Sequence, residues 1–244
     1  MNLKIGLGIL IAASCVGAQD AAQDAAQHER WTNRTGMQLK MSTLGAGIEA
    51  AFSVVPRINV RAGFNDFSYS RNFESSGIHY DGSLTLRSAS VNGDFYVLGP
   101  LHLSPGLLLY DGNRGSATAS VPGGQTFTLG SATYLSNPSN PVNGSATLGF
   151  NAAAPEFLIG LGNLVPRSPR RFTVNFEFGA AYQGSPAVKL NLGGGVCNPS
   201  GAGCVNAADP AVQSNVAAQQ AKLNRNLSFF RFYPLASVGF GYRF

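Results

Sequence analysis

Apolar and polar residues alternate along most of the chain. In the clearest stretch, 172–183, every second residue from Phe172 to Tyr182 is apolar, and the residues between them are Thr, Asn, Glu, Gly, Ala and Gln. A period of two is typical of β-strands whose two faces meet different surroundings. The stretch 230–244 repeats the pattern up to Phe244. The pattern therefore predicts an all-β protein.

The polar face of these predicted strands carries few charges. The exposed face of a strand in a soluble sandwich is usually rich in Lys, Glu and Thr, whereas Gly, Ala and Asn predominate here. Such small residues fit inside a narrow barrel whose apolar face meets lipid. The composition agrees, because 12% of the residues are charged and 30 are Gly. No uninterrupted apolar run is long enough for a transmembrane helix, so we expect strands to span the membrane.

The alternation recurs in eight segments. In chain order they are 36–41, 44–54, 58–64, 88–97, 101–110, 154–161, 172–183 and 230–244. An even number of strands returns both termini to the same side of the membrane, and closure leaves no backbone group unpaired in hydrocarbon. The predicted fold class is an eight-stranded antiparallel transmembrane β-barrel.

The lengths of the connections predict the orientation of this barrel. Short connections, most of them with Pro, are found at 42–45, 55–57, 98–100 and 163–170, and long connections at 71–77, 115–143 and 184–226. Outer-membrane barrels have tight turns on the periplasmic side and long loops outside. We therefore expect the long connections to be outer loops and both termini to be periplasmic, with 42–45 as the one tight outer turn.

The first residues predict export. Lys4, an apolar stretch over 5–13 and small residues at 16–18 are typical of a signal peptide, which predicts cleavage after residue 18. Lipidation of Cys15 is the alternative, although Ala12 stands where such sites usually have Leu. The domains are then a signal peptide (1–18), a flexible periplasmic lead-in (19–35) and the barrel (36–244), located in the outer membrane of a Gram-negative-type bacterium.

The last long loop contains a cysteine pair and a predicted helix. Cleavage of the signal peptide would remove Cys15, so the mature chain would contain two cysteines, Cys197 and Cys204. An oxidising compartment favours a disulfide between them. A metal site is disfavoured because no His is near. Asp209 and Pro210 have the N-cap and first-turn positions of a helix that runs to about Asn224. This helix would either rest on the barrel rim or form a lid over a pore.

Six charged residues are the predicted lumen and solute-binding positions. They are Glu49, Arg61, Asp94, Glu156, Glu177 and Arg231, accompanied on the same face by Asn92, His102, Asn175 and Tyr233. Four carboxylates outnumber two guanidinium groups, which favours cations. Two interpretations remain open: an ion-pair network that fills an interior just wide enough for side chains, or a narrow passage for small solutes.

Enzymatic and nucleic-acid functions are not expected. His102 and Ser104 match the His-x-Ser pattern of lipid A 3-O-deacylase barrels, but that family needs a Glu about one strand further on, and the segment after Tyr110 has none. The net charge is +5, but Lys and Arg form no cluster that would suggest a surface for binding nucleic acid. We expect that the protein is not an enzyme and that it binds no cofactor and no metal.

Five stretches of the chain carry a resemblance to a known family: 36–49, 61–64, 153–162, 181–190 and 232–239. They resemble the CarO-type small outer-membrane barrels of Acinetobacter-like bacteria. The resemblance implies a monomeric barrel that passes ornithine and other basic amino acids. The leading function is therefore a passive channel for small solutes, and the alternative is a non-transporting structural or surface-interaction barrel that acts through its outer loops. The loop with Cys197 and Cys204 departs from the family.

The C-terminal hexapeptide implies further partners. Its aromatic residues Phe240, Tyr242 and Phe244 resemble the assembly signal of bacterial outer-membrane barrels. This resemblance implies that the barrel-assembly machinery, outer-membrane lipid and lipopolysaccharide are partners.

Overall fold

The structure is a computed structural model that describes residues 33–110, 112–166, 169–201 and 203–244. The predicted signal peptide, the lipidation alternative at Cys15 and most of the predicted lead-in lie outside the described residues. Within the described ranges, no helix combines the length and the apolar character needed to cross a membrane.

The described residues are mostly strands with one helix, α1 (Pro210–Leu227). The strands are β1 (Thr35–Ser42), β2 (Gly45–Val55), β3 (Ile58–Ser75), β4 (Ile78–Leu98), β5 (Leu101–Tyr110), β6 (Arg114–Val121), β7 (Thr126–Leu129), β8 (Ala132–Ser136), β9 (Val142–Gly149), β10 (Ala153–Leu161), β11 (Phe172–Tyr182), β12 (Ala187–Gly193), β13 (Gly195–Cys197), β14 (Val205–Asn206) and β15 (Phe232–Arg243).

Eight strands form a closed antiparallel ring. Their order is β4-β3-β2-β1-β15-β11-β10-β5, and β5 pairs back onto β4 between Ser88 and Leu98. The predicted eight-stranded barrel is therefore confirmed. The short first segment is a true strand, since β1 pairs with both β2 and β15.

The outer wall of the ring is covered by exposed apolar side chains. Leu39 and Phe178 are each 69% exposed, and both lie on the face that points away from the lumen. Other members of this belt are Met37, Ile48, Val60, Val91, Phe157, Ile159, Phe176 and Phe240. In water such a surface would be costly, at roughly 25 cal/mol per Å² of apolar area, whereas lipid accommodates it. The ring is a transmembrane barrel.

The connections divide between two ends of the barrel. The turns at Pro56 and Gly99 and the connection 162–171 lie at one end, the turn end, together with the start of β1 and the end of β15. The other connections lie at the opposite end, the loop end. One of them was predicted wrongly: 71–77 is not a long loop, because β3 and β4 continue to a turn at Ser76 and Gly77.

The faces of β3 and β4 exchange polarity half-way along. Near the turn end, Val60 and Phe64 point outward and Asn59, Arg61 and Asn65 point inward. Beyond the exposed ion pair of Arg87 and Asp66, at 2.8 Å, the outward residues are polar and the inward residues are largely apolar. The inward residues of this part include Phe67, Tyr69, Phe73, Tyr80, Leu84 and Leu86. The strands therefore leave the hydrocarbon at this pair and continue beyond it.

A folded cap stands on the loop end. It comprises 66–87 of β3 and β4, residues 114–149 and residues 187–227. Strands β6, β9 and β12 extend the main sheet from β4, and β14-β13-β8-β7 form a second sheet. The cap has its own core, made of Val121, Leu129, Val142, Val196, Val212 and Val216. The predicted loops 115–143 and 184–226 are thus largely regular structure, because their short strands find partners in each other.

Helix α1 covers the free edge of the extended sheet. Asp209 caps it by accepting a hydrogen bond from the Ala211 backbone, as predicted from the Asp-Pro pair. Asn224 accepts a hydrogen bond from the Val188 backbone at 2.7 Å, and Gln220 accepts one from Leu190 at 3.0 Å. These amides satisfy donors of edge strand β12 that would otherwise be unpaired. The helix is therefore part of the cap, where it packs against β12 and β7.

The predicted disulfide is present in the cap. Cys197 ends β13 and is buried, and it is bonded to Cys204, which precedes β14. Because β13 and β14 are paired through Val196 and Val205, the bond closes the hairpin that they form.

Reducing this disulfide should loosen the cap and leave the barrel folded. A loop this short should stabilise the fold by at most about 3 kcal/mol, and the bond touches no barrel strand. We expect reduced protein to be cleaved faster by protease within the cap, while unboiled protein keeps its faster migration on SDS gels. Thiol labelling of both cysteines in folded, unreduced protein would show that the bond does not form.

Candidate functional site: the barrel lumen

The lumen is lined by every second residue of the eight strands, and glycines make room for its larger side chains. Gly160 of β10 is directly paired with His102 of β5. A Cβ atom at this position would collide with the imidazole ring. In the same way, Gly63 lies against the side chain of Glu49. The alternation of large polar residues with Gly is therefore what packs a narrow interior.

Arg61 lies at the centre of the lumen. Its Nη1 atom is 3.0 Å from Glu49 Oε2, and its Nη2 atom is 3.1 Å from Asp94 Oδ1. Nη2 also forms an ion pair with Glu177. Strand β3, which carries Arg61, stands four positions around the ring from β11, which carries Glu177. This ion pair therefore spans the barrel between opposite walls.

A second cation, Lys40 of β1, completes the network. Its ammonium group pairs with Glu49 and lies 3.9 Å from Glu177 Oε2. Gln38 on the same strand donates to Glu49 and accepts a hydrogen bond from Asn175 at 2.7 Å. The five side chains of this part of the network are each less than 10% exposed: Gln38, Lys40, Glu49, Asn175 and Glu177. Buried charges are tolerated here because each is paired and hydrogen-bonded.

Neighbouring hydroxyl and amide groups also donate hydrogen bonds to the carboxylates. Ser104 donates to Asp94 at 2.7 Å, Ser237 to Glu177 at 3.1 Å, and Asn92 to Glu156 at 2.7 Å. Every strand of the ring thus contributes polar side chains to the interior. In ring order from β4 they are Asn92 and Asp94, Arg61, Glu49, Gln38 and Lys40, Ser237, Asn175 and Glu177, Glu156, and His102 and Ser104.

Apolar residues close the lumen towards the loop end. This outer plug consists of Leu44, Leu108, Ala154, Leu158, Ala181 and Leu235, with Tyr233 packed against it. The turn between β1 and β2 is held over the opening, because Tyr233 donates to the carbonyl of Thr43 at 2.7 Å. The alternation predicted over 44–54 would place Leu44 on the lipid-facing side of the strand. Leu44 is instead buried in the plug, since it belongs to this turn and not to the alternating strand.

The connection between β10 and β11 closes the turn end. Leu164 and Val165 pack against Ala51 as an inner plug. Leu164 fits into the turn end of the lumen because Gly36 and Gly241 have no side chains, and a Cβ atom at either position would collide with it. Between the two plugs, the lumen retains a cavity of about 20 Å³ beside Lys40 and Glu156. Such a volume holds roughly one water molecule.

Two crystal structures share this architecture. CarO and CarO2 of Acinetobacter baumannii each match with a TM-score of 0.54 and 20% sequence identity. The match covers 86% of this chain, 97% of CarO and 98% of CarO2. The chain has the CarO fold. The predicted resemblance to CarO-type barrels is confirmed at the level of the fold. No protein-family model and no curated protein matches the sequence.

Within this CarO fold, Asp94, His102 and Glu177 form a cluster with the donor atoms of a metal site. One ligand atom from each lies within 4.8 Å of the others. However, Nη2 of Arg61 contacts both carboxylates. The guanidinium group therefore supplies the positive charge that a metal ion would bring, and the cluster functions as an ion-pair site.

The His-x-Ser pair does not form a nucleophile and base. Ser104 is fully buried and donates to Asp94, not to the imidazole of His102. His102 Nε2 lies 3.6 Å from Glu177 Oε1, a Glu from a strand that the sequence pattern did not connect with it. Ser104 is therefore buried in the lumen against a carboxylate.

The structure corrects one predicted lumen residue. Five of the six charged positions, Glu49, Arg61, Asp94, Glu156 and Glu177, are in the lumen. Arg231 is not: it is exposed and donates to the carbonyl of Ser228, because β15 begins one residue later. Lys40 takes the place of the second cation, so the formal excess of two carboxylates is unchanged. The alternation of Met37, Leu39 and Met41 could have identified Lys40 as inward.

Removing the central cation should destabilise the barrel. Arg61→Met leaves three buried carboxylates without their shared partner, and we expect a loss of about 3–5 kcal/mol in the free energy of unfolding in lipid vesicles. Arg87→Met is the matched control, because its ion pair with Asp66 is exposed and contributes about 0–1 kcal/mol. Equal urea midpoints for the two variants would contradict the central role of Arg61.

Proposed function

We propose that the protein is an outer-membrane barrel that is closed to solutes and acts through its cap. The observation that carries this proposal is the ion pair between Arg61 and Glu177, which joins opposite walls of the lumen between two apolar plugs. A passage needs a continuous column of water, whereas the cavity beside Lys40 and Glu156 has a volume of about 20 Å³. Of the two interpretations of the sequence, this geometry supports the surface-interaction barrel best.

The placement in an outer membrane has two supports. The closed antiparallel ring carries an apolar belt, with short turns at one end and a large folded cap at the other. In bacterial outer-membrane barrels the tight turns are periplasmic and the long connections are outside, so the cap would face the medium. Outer-membrane lipid and lipopolysaccharide would then surround the belt. Phe240, Tyr242 and Phe244 of the last strand region would serve the barrel-assembly machinery.

The cap has the construction of a binding module. A disulfide, a second sheet and helix α1 hold it together around its own apolar core. Strands β3 and β4 have 18 and 21 residues, about twice the length needed to cross a bilayer. A membrane anchor alone does not require that additional length.

A second candidate is the small-solute channel implied by the CarO resemblance. One observation favours it: among the described residues, the buried charges of the lumen are the carboxylates of Glu49, Asp94, Glu156 and Glu177 and the cations Lys40 and Arg61. If the interior rearranged into a passage, this excess would favour cations, and basic amino acids would enter liposomes faster than glutamate. Glu177→Gln would reduce that preference.

Single-channel recording distinguishes the two candidates. Wild-type protein refolded into planar bilayers should show no conductance steps. The double variant Arg61→Ser, Glu177→Ser removes the ion pair across the lumen but leaves the outer and inner plugs in place, so it should stay silent as well. Cation-preferring steps from the wild type would contradict the closed barrel and support the channel.

A further inference from the structure

The cap contains an apolar groove between its main sheet and helix α1. The groove has a volume of about 450 Å³, within the range of small-molecule sites. Its floor is made of small residues on the inward face of neighbouring strands: Gly82, Gly115, Ala117 and Ala146. Tyr69 and Phe73 form one side, and Leu223 and Leu227 of the helix form the other. The lack of side chains on the floor is therefore what creates the groove.

The apolar groove lies outside the membrane. Tyr69 and Phe73 are 52% and 51% exposed, although they lie beyond the ion pair of Asp66 and Arg87 where the outward face becomes polar. Exposed apolar side chains on the barrel belt are covered by lipid, but these two aromatic rings face an opening in the cap. A contiguous apolar surface that faces water marks a binding site in folded proteins.

One charged group lies in the groove. Arg71 stands on the inward face of β3, between Tyr69 and Phe73, and is paired across the strands with Gly82. Among the described residues, no carboxylate lies within ion-pair distance of Arg71, whereas Arg61 has three and Arg87 has one. Arg71 is also the only charged residue among those that line the groove in the described part of the chain. A guanidinium group without a partner at the side of an apolar groove is complementary to an anion with an apolar body.

We propose that this groove binds an amphipathic monocarboxylate, with its carboxylate on Arg71 and its apolar body on the Gly and Ala floor. Guanidinium and carboxylate form charge-assisted, often bidentate hydrogen bonds, which would fix the orientation of the ligand. The apolar body would cover the exposed rings of Tyr69 and Phe73. The inference rests on the proposal that the cap is the working part of a closed barrel.

Octanoate is a suitable probe because it combines one carboxylate with a short apolar chain. Full-length protein in lipid nanodiscs should bind octanoate saturably in calorimetry, above the background of empty nanodiscs. Arg71→Gln removes the charge and should weaken binding about tenfold. The matched control, Arg87→Gln, alters an exposed Arg on the outward face and should leave octanoate binding unchanged. Octyltrimethylammonium, which has the opposite charge, should bind more weakly than octanoate to the wild type.

Three results would overturn the groove site: no saturable octanoate binding, equal affinities of the Arg71→Gln and Arg87→Gln variants, or equal binding of octyltrimethylammonium and octanoate. The migration of unboiled protein on SDS gels verifies that each variant is folded. Conductance separates this inference from the proposed function. A silent barrel that does not bind octanoate contradicts the groove alone, and a conducting barrel contradicts the closed lumen whatever octanoate does.

Discussion

Closure of the ring is the constraint on which the rest of the structure depends. Backbone groups in hydrocarbon have no water to bind, so β4 must pair with β5 to leave no free edge. Eight strands then enclose an interior that is only wide enough for side chains. Arg61 can therefore reach Glu177 on the opposite wall. A wider ring would leave these groups apart and hydrated, and the ion-pair network follows from the strand number.

The same constraint explains how the cap is attached. Strand β4 pairs with β5 along Ser88–Leu98 and with β6 along His79–Thr85. Within the membrane the ring must close, but above it β4 is free to take a new neighbour, and β9 and β12 follow. The new sheet has an edge at β12, which α1 covers through Asn224 and Gln220. In the cap, side-chain amides of α1 therefore pair with backbone groups of the edge strand, whereas in the barrel the closure of the ring pairs them with another strand.

The sequence predicts the barrel well because each membrane strand has two different surroundings. Alternation located all eight strands, and it placed Glu49, Arg61, Asp94, Glu156 and Glu177 on the inward face. It could not give their height in the barrel, which depends on the pairing register, and so it could not show that Glu177 meets Arg61. Starting the last alternating segment at Phe230, two residues before β15 begins, misplaced Arg231. The cap strands were missed because segments such as Arg114–Val121 are rich in Ser, Ala and Gly, with little contrast between their faces.

The exchange of polarity in β3 and β4 separates the two candidate sites physically. Inward residues are polar as far as Ser88, and from Leu86 onward they are largely apolar. Leu44, Leu108 and Leu235 close the barrel near this level, so the groove lies beyond the plug. A ligand on Arg71 would therefore reach its site from the medium without displacing any member of the ion-pair network. The groove and the ion-pair network therefore have no side chain in common.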